Sequence, residues 1–142
     1  MSEDTDSNFK FQLPIADLLD RLTVDQIKEM LLDSSKDDFA ESIAAIEHDI
    51  DLLLKSGDVK CSARLLRYAV VIAQINVHIW YLKDKMAEDP DSYDAYLKLA
   101  HQLNGIRNQS KNLLLEYCGD KEPSQKRTNT ETDGLEGWRV SY

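Results

Sequence analysis

The stretch LLRYAVVIAQINVHIWYL, from Leu65 to Leu82, constrains the fold more than any other part of this chain because it is long and almost wholly apolar. Its strongly polar side chains are Arg67, Gln74, Asn76 and His78. A helix that is apolar on most of its circumference must be covered on most of its circumference. The rest of the chain is therefore expected to supply the helices that cover it.

The same stretch has about the length of a short membrane span. Its polar side chains would be costly in lipid, so we predict a buried core helix and no contact with a membrane. The chain starts with MSEDTDSNFKF, which has neither the basic nor the apolar region of a signal peptide. Cys61 and Cys118 form no CxxC pair, which favours free thiols in a reducing compartment. We therefore expect a cytoplasmic protein.

Apolar residues recur at three- and four-residue intervals elsewhere in the chain, which predicts further amphipathic helices. With the central stretch, the predicted helices cover about residues 14–33, 36–55, 60–88 and 93–117. Thr23 and Gln26 also fit a capping box that would split the first helix in two. Short connections between such helices favour an all-α, antiparallel up-and-down four-helix bundle. The third helix is apolar enough to touch all the others.

The composition at the two ends of the chain differs from that of the helical part. We assign residues 13–119 to the bundle, residues 1–12 to a flexible tail, and residues 120–142 to a second flexible tail that is polar and acidic. Residues 135–142, LEGWRVSY, carry apolar and aromatic side chains again. These residues are either a motif that docks on the domain or on a partner, or a flexible end.

The formal net charge of −9 limits the partners that the chain can bind. Nonspecific binding of nucleic acids depends on neutralising phosphates with Lys and Arg, so no direct nucleic-acid binding is expected. The simplest explanation of the charge is solubility. A basic protein partner, or a surface that imitates nucleic acid, would also account for it.

Several polar residues lie close to the predicted apolar stripes, at the three- and four-residue steps that place side chains on one helix face. One interpretation is a buried network in which these groups satisfy each other and fix the register of the helices. The other is a ligand pocket for a phosphorylated or acidic small molecule, since Arg binds such groups in a bidentate way. The candidate ligand-binding residues are Asp20, Lys28, Asn76, Trp80, Asp84, Asn104, Arg107 and Lys111.

No pattern in the sequence points to a metal or a cofactor. His48, His78 and His101 fall on different predicted helices and none of them has the spacing of a metal-ligand pair. No Gly-rich phosphate loop and no nucleophile signature occurs. We therefore expect no metal and no cofactor, and no catalytic residue is assigned, which favours a role other than catalysis.

The segments ADLLDRLTVDQIKE, INVHIWYLKDKM and LAHQLNGIRNQSKN resemble, in order and spacing, the signature segments of a small all-helical family of unknown function from bacteria and phages. Lys83 and Gly105 depart from that pattern, which has acidic residues at both positions. The resemblance implies no activity. It singles out Asp20, Arg21, Thr23, Ile27, Lys28, Asn76, Trp80, Asp84, Asn104, Arg107 and Lys111.

The sequence therefore supports a small acidic helical protein that acts by binding a protein partner as an accessory or regulatory factor. For a phage-encoded factor, that partner would be a host protein in the host cytoplasm. The candidate partner-binding residues are Asp37, Asp38, Glu41, Trp138 and Tyr142. The alternatives are a small-ligand or enzymatic site for a phosphorylated or sugar-nucleotide compound, and an acidic nucleic-acid mimic. A homodimer is also compatible with the sequence.

Overall fold

A computed structural model describes residues 8–118 and confirms the predicted all-α antiparallel bundle. Within this range there is no strand. The predicted tail 120–142, with the motif at 135–142 and the candidates Trp138 and Tyr142, lies outside the described residues, as does the start of the predicted tail 1–12. The helices are α1 (Ile15–Leu31), α2 (Lys36–Ser56), α3 (Ala63–Glu88) and α4 (Tyr93–Tyr117), with a 3-10 turn at Pro90–Ser92 between the last two.

The ends of the helices follow from local chemistry. Gly57 ends α2 with a φ of 80°, a left-handed conformation that glycine adopts without steric cost. The Ser62 hydroxyl caps α3 by accepting a hydrogen bond from the Leu65 amide at 3.2 Å. The expected break in the first helix is absent. α1 runs through Thr23, whose hydroxyl donates to the Asp20 carbonyl at 2.8 Å instead of capping a new helix.

Contacts between helices fix their directions. The Ser62 hydroxyl lies 2.9 Å from the Tyr117 hydroxyl, which brings the start of α3 to the end of α4. The Ser42 hydroxyl donates to the Asp25 carboxylate at 2.6 Å, which joins the first half of α2 to the second half of α1. The helices therefore alternate in direction along the chain, as in an up-and-down bundle.

The apolar core includes two clusters. The first joins α1, α3 and α4 near the start of α3, and it contains Leu19, Leu65 and Leu114. Tyr68 belongs to it, and burial raises the pKa of the Tyr68 phenol, which keeps that side chain neutral. The second cluster joins only α3 and α4 and contains Ile79 and Leu103.

Helix α1 is shorter than α3 and cannot cover all of it. At about 1.5 Å per residue, the 26 residues of α3 span roughly 39 Å, whereas the 17 residues of α1 span roughly 26 Å. The second cluster is made of side chains from α3 and α4 alone.

The third helix was expected to touch all the others, and its main chain closely approaches two of them. The Cα atoms of α3 come within 8 Å of α1 and α4, but not of α2, which approaches α1 alone. Only the side chains of Ile50, Leu53 and Leu54 on α2 reach the first core cluster. α3 is long and apolar enough to cross a membrane by length and composition, a property that the core helix of a bundle shares. Of the most apolar 18-residue segment of α3, 44% is buried inside the fold.

Residues just before α1 are attached to α2 by a buried carboxylate. Asp49 is fully buried, and its two oxygens accept hydrogen bonds from the backbone amides of Lys10 at 2.7 Å and Phe11 at 2.9 Å. The Arg21 guanidinium lies 4.3 Å from the centre of the Phe11 ring, a cation–π distance. Residues 10 and 11, which lie in the predicted tail 1–12, are therefore held against α1 and α2.

We expect Asp49→Ala to lower the free energy of unfolding by about 1.5–3 kcal/mol, because hydrogen bonds to a charged acceptor are lost and two amides need new partners. Urea unfolding followed by circular dichroism measures the change. The matched control is Asp51→Ala, since Asp51 is exposed on the same helix. Equal stability of the two variants would show that Asp49 does not hold the N-terminal segment.

Candidate functional site

Three helices direct polar side chains into one seam, which we call the polar seam. α1 contributes residues at three-residue steps, α4 contributes two residues at a four-residue step, and α3 contributes one amide. Because α1 packs between α2 and the α3–α4 pair, these side chains meet where α1 crosses both long helices. The residues of the polar seam are Asp17, Asp20, Thr23, Asn76, Arg107 and Lys111.

The Asn76 amide is the centre of the polar seam. Its Nδ2 donates to Asp20 Oδ1 at 2.8 Å and to Thr23 Oγ1 at 2.7 Å, and its Oδ1 accepts from an Arg107 terminal nitrogen at 2.9 Å. Rotating the amide by 180° would place Oδ1 against the Asp20 carboxylate, so these contacts determine its orientation. Asn76 is only 4% exposed, and both its donors and its acceptor are used.

Lys111 provides the second connection between α1 and α4. Its Nζ lies 2.7 Å from Asp17 Oδ1 and 3.2 Å from Asp20 Oδ2. The side chain is 3% exposed, and a buried ammonium is stable only when opposite charges compensate it. Both oxygens of Asp20 are therefore engaged, one by Asn76 and one by Lys111. Each oxygen of Asp20 therefore connects α1 to another helix.

Arg107 completes the charge balance of the polar seam. Its Nε is buried without a hydrogen-bond partner and lies 3.9 Å from Asp20 Oδ1, within ion-pair distance. Two cations, Arg107 and Lys111, face two carboxylates, Asp17 and Asp20, so their formal charges cancel. A neutral set of groups has little net attraction for an anionic ligand.

The remaining candidates of the predicted pocket lie apart from the polar seam. Lys28 points toward α2, with its Nζ 5.8 Å from the centre of the Phe39 ring. Asp84 is exposed on α3, two turns beyond Asn76, and Trp80 between them is half-buried. Asn104 is half-buried one turn before Arg107, and none of the hydrogen bonds of the polar seam reaches it. The structure thus brings together only Asp20, Asn76, Arg107 and Lys111 of the candidate set.

Two residues of the polar seam, Asp17 and Thr23, were not among the candidate ligand-binding residues. Asp17 lies one turn before Asp20, a spacing that predicts a shared face. The sequence pattern that could have identified these ion pairs is two carboxylates three residues apart on α1 and two cations four residues apart on α4. Thr23 is in the family-like segment, but the sequence suggested a cap for it instead.

The candidate partner-binding residues on α2 lie on the outside of the bundle. Asp37, Asp38 and Glu41 are all exposed at the start of that helix. Asp37 and Asp38 fall in its first turn, where the helix dipole favours carboxylates. No group of three or more His, Cys, Asp or Glu side chains within residues 8–118 could hold a metal ion.

Two grooves on the surface are lined mainly by apolar residues, and neither includes a residue of the polar seam. The larger, with a volume of about 270 Å³, lies between α1, α2 and the first half of α3. The smaller, of about 150 Å³, lies between α3 and α4 and is lined by His78, Tyr81 and Leu99 among others. These two grooves and the polar seam therefore have no residue in common.

No protein-family model, no curated protein and no solved structure matches this chain. The resemblance to the small all-helical family therefore stays a prediction.

We expect Asn76→Leu to lower the free energy of unfolding by roughly 1–3 kcal/mol, because it removes three hydrogen bonds and leaves buried groups on α1 and α4 unpaired. The matched control is Gln74→Leu at an exposed position, which should change the free energy of unfolding by less than about 0.5 kcal/mol. Urea unfolding of both variants measures the difference. If Asn76→Leu is as stable as Gln74→Leu, the amide does not hold the three helices together.

Proposed function

We propose that this chain is a non-enzymatic binding protein, an accessory or regulatory factor whose acidic α2 surface contacts a basic protein partner. The observation that carries the proposal is the internal pairing of the polar seam. Its two buried or half-buried cations, Arg107 and Lys111, already face carboxylates, and its central amide has no free hydrogen-bonding atom. Those residues therefore serve to join helices.

The exposed carboxylates of α2 are available for recognition. Asp37, Asp38 and Glu41 are exposed, and no ion pair within residues 8–118 involves them. A cluster of exposed carboxylates on a protein with a net charge of −9 attracts basic partners and repels acidic ones. We place the protein in the cytoplasm, or in the host cytoplasm if a phage encodes it.

One observation favours a second candidate function. The Nε of Arg107 is buried without a hydrogen-bond partner, so an anion that displaced Asp20 would find a donor there. This candidate predicts binding of a phosphorylated compound in the polar seam. A thermal-shift screen with nucleotides, sugar nucleotides and phosphorylated metabolites tests it. At about 100 times its Kd, a ligand should stabilise the fold by about 2.7 kcal/mol. No stabilisation by any of these compounds would exclude the candidate.

We expect the triple variant Asp37→Lys, Asp38→Lys, Glu41→Lys to lose the partner, because exposed interface charges determine association rate and specificity. Affinity purification of the tagged full-length chain from its native host, with quantitative mass spectrometry, measures recovery of a defined partner. The wild type should recover it in a salt-dependent manner, since salt screens exposed charges.

The matched control carries the same change of charge on other elements, namely α3, the 3-10 turn and α4. Asp84→Lys, Asp91→Lys, Asp94→Lys also reverses three exposed carboxylates, two of them near the start of a helix. It should recover the partner as the wild type does. Equal recovery by the wild type and the α2 variant would mean that this face of α2 is not the contact surface. Circular dichroism establishes that both variants are folded.

A further inference from the structure

The larger groove exists because α2 packs on α1 and leaves α3 uncovered on that side. No Cα atom of α2 lies within 8 Å of a Cα atom of α3, and the space between them is lined mainly by apolar side chains from three helices. α1 contributes Leu22, α2 contributes Ile50, and α3 contributes Leu66 and Ala69. In a bundle whose neighbouring helices were all in contact, these side chains would be buried against each other.

An exposed apolar stripe on α3 begins at the groove and ends at Tyr81, which lines the smaller groove between α3 and α4. Leu66 lines the groove and is 59% exposed, Val70 is 56% exposed, and Val77 and Tyr81 follow with 36% and 47%. Intervals of four, seven and four residues place these side chains on one helix face. From Leu66 to Tyr81 the stripe covers roughly 22 Å, or about four helical turns. Contiguous exposed apolar surface of this kind marks an interaction site more often than isolated exposed residues do.

Carboxylates lie along the α2 side of the groove. Glu47 and Asp51 belong to its lining, and both are exposed. They follow Asp37 and Glu41 along α2, so the acidic surface of the proposed function continues to the edge of the groove. An occupant therefore needs an apolar face toward α3 and positive charge toward α2.

We propose that the groove binds one amphipathic α-helix of a protein partner, about four turns long, with an apolar stripe on one face and Lys or Arg beside it. This rests on the proposed function and names the partner segment. An amphipathic helix in a hydrophobic groove is a common mode of recognition, anchored by side chains at three- and four-residue intervals. Leu66 and Val70 contact the anchors, and Glu47 and Asp51 pair with the flanking cations.

Charge distinguishes this occupant from two others. A second copy of the chain brings another net charge of −9 and the same acidic edge, so charge repulsion opposes the association of two copies at this groove. An anionic membrane is repelled by the same carboxylates, since helices that lie on membranes carry Lys and Arg on their polar face. A basic amphipathic helix satisfies both the apolar stripe and the acidic edge.

The test uses the full-length chain and a synthetic helical peptide of Leu and Lys, about four turns long, with Leu at three- and four-residue intervals. A second peptide has Glu in place of Lys. Fluorescence anisotropy measures both affinities, and the Lys peptide should bind at least about tenfold more tightly, a difference of about 1.4 kcal/mol. Cys61 lines the groove and is exposed, so the bound Lys peptide should slow its labelling by N-ethylmaleimide.

Variants of exposed residues locate the binding site. Leu66→Glu should lower the affinity for the Lys peptide by about tenfold or more, because it places a charge where the apolar anchors of the peptide bind. Tyr93→Glu introduces the same charge at an exposed large side chain on α4 and should leave affinity unchanged. Glu47→Lys with Asp51→Lys should remove the preference for the Lys peptide. Equal affinity of the wild type and Leu66→Glu, or undisturbed labelling of Cys61, overturns the proposal.

Other occupants give different results. If the wild type is a dimer by light scattering and Leu66→Glu is a monomer, a second copy fills the groove and the proposal is wrong. If Trp138→Ala in the full chain speeds the labelling of Cys61, residues near the C-terminus fill it, and the proposal is wrong as well. Loss of peptide binding in Leu66→Glu with unchanged partner recovery in the α2 triple variant would refute the proposed α2 surface but not the groove.

Discussion

The bundle depends on the side-chain amide of Asn76. Its Nδ2 binds Asp20 and Thr23 on α1, and its Oδ1 binds Arg107 on α4, so one residue of the most apolar helix connects three helices. A buried amide tolerates few arrangements of its neighbours, because each unpaired donor or acceptor costs free energy. The apolar clusters drive the helices together, and the polar seam selects the register in which they meet.

The position of α1 determines where the rest of the surface lies. Ion pairs from Asp17 and Asp20 to Lys111 hold α1 against α4, and the Asp25–Ser42 hydrogen bond holds α2 against α1. α2 is thereby placed on the far side of α1 and does not reach the backbone of α3. The open groove and the exposed stripe on α3 are consequences of that arrangement. The proposed recognition surface therefore lies beside a network whose charges are balanced internally.

Periodicity was enough to predict the helices, because apolar spacing and the signals at Gly57 and Pro90 act within a few residues of the chain. Asp20, Asn76, Arg107 and Lys111 were also identified, since polar residues beside an apolar stripe must find partners. The orientation of Lys28 toward Phe39 and the isolation of Asp84 depend on how α1 is rotated and how far it extends along α3. No local pattern contains that information, and the gap between α2 and α3 was missed for the same reason.

The central claim is that the polar seam is a structural connection rather than a ligand site, which leaves recognition to the outer surface. A double-mutant cycle with Asn76→Leu and Asp20→Asn tests it most directly, with urea unfolding of the wild type, both single variants and the double variant. Residues in one buried network should show a coupling energy of about 0.5–3 kcal/mol. Additive effects, with a coupling energy below about 0.3 kcal/mol, would contradict the account.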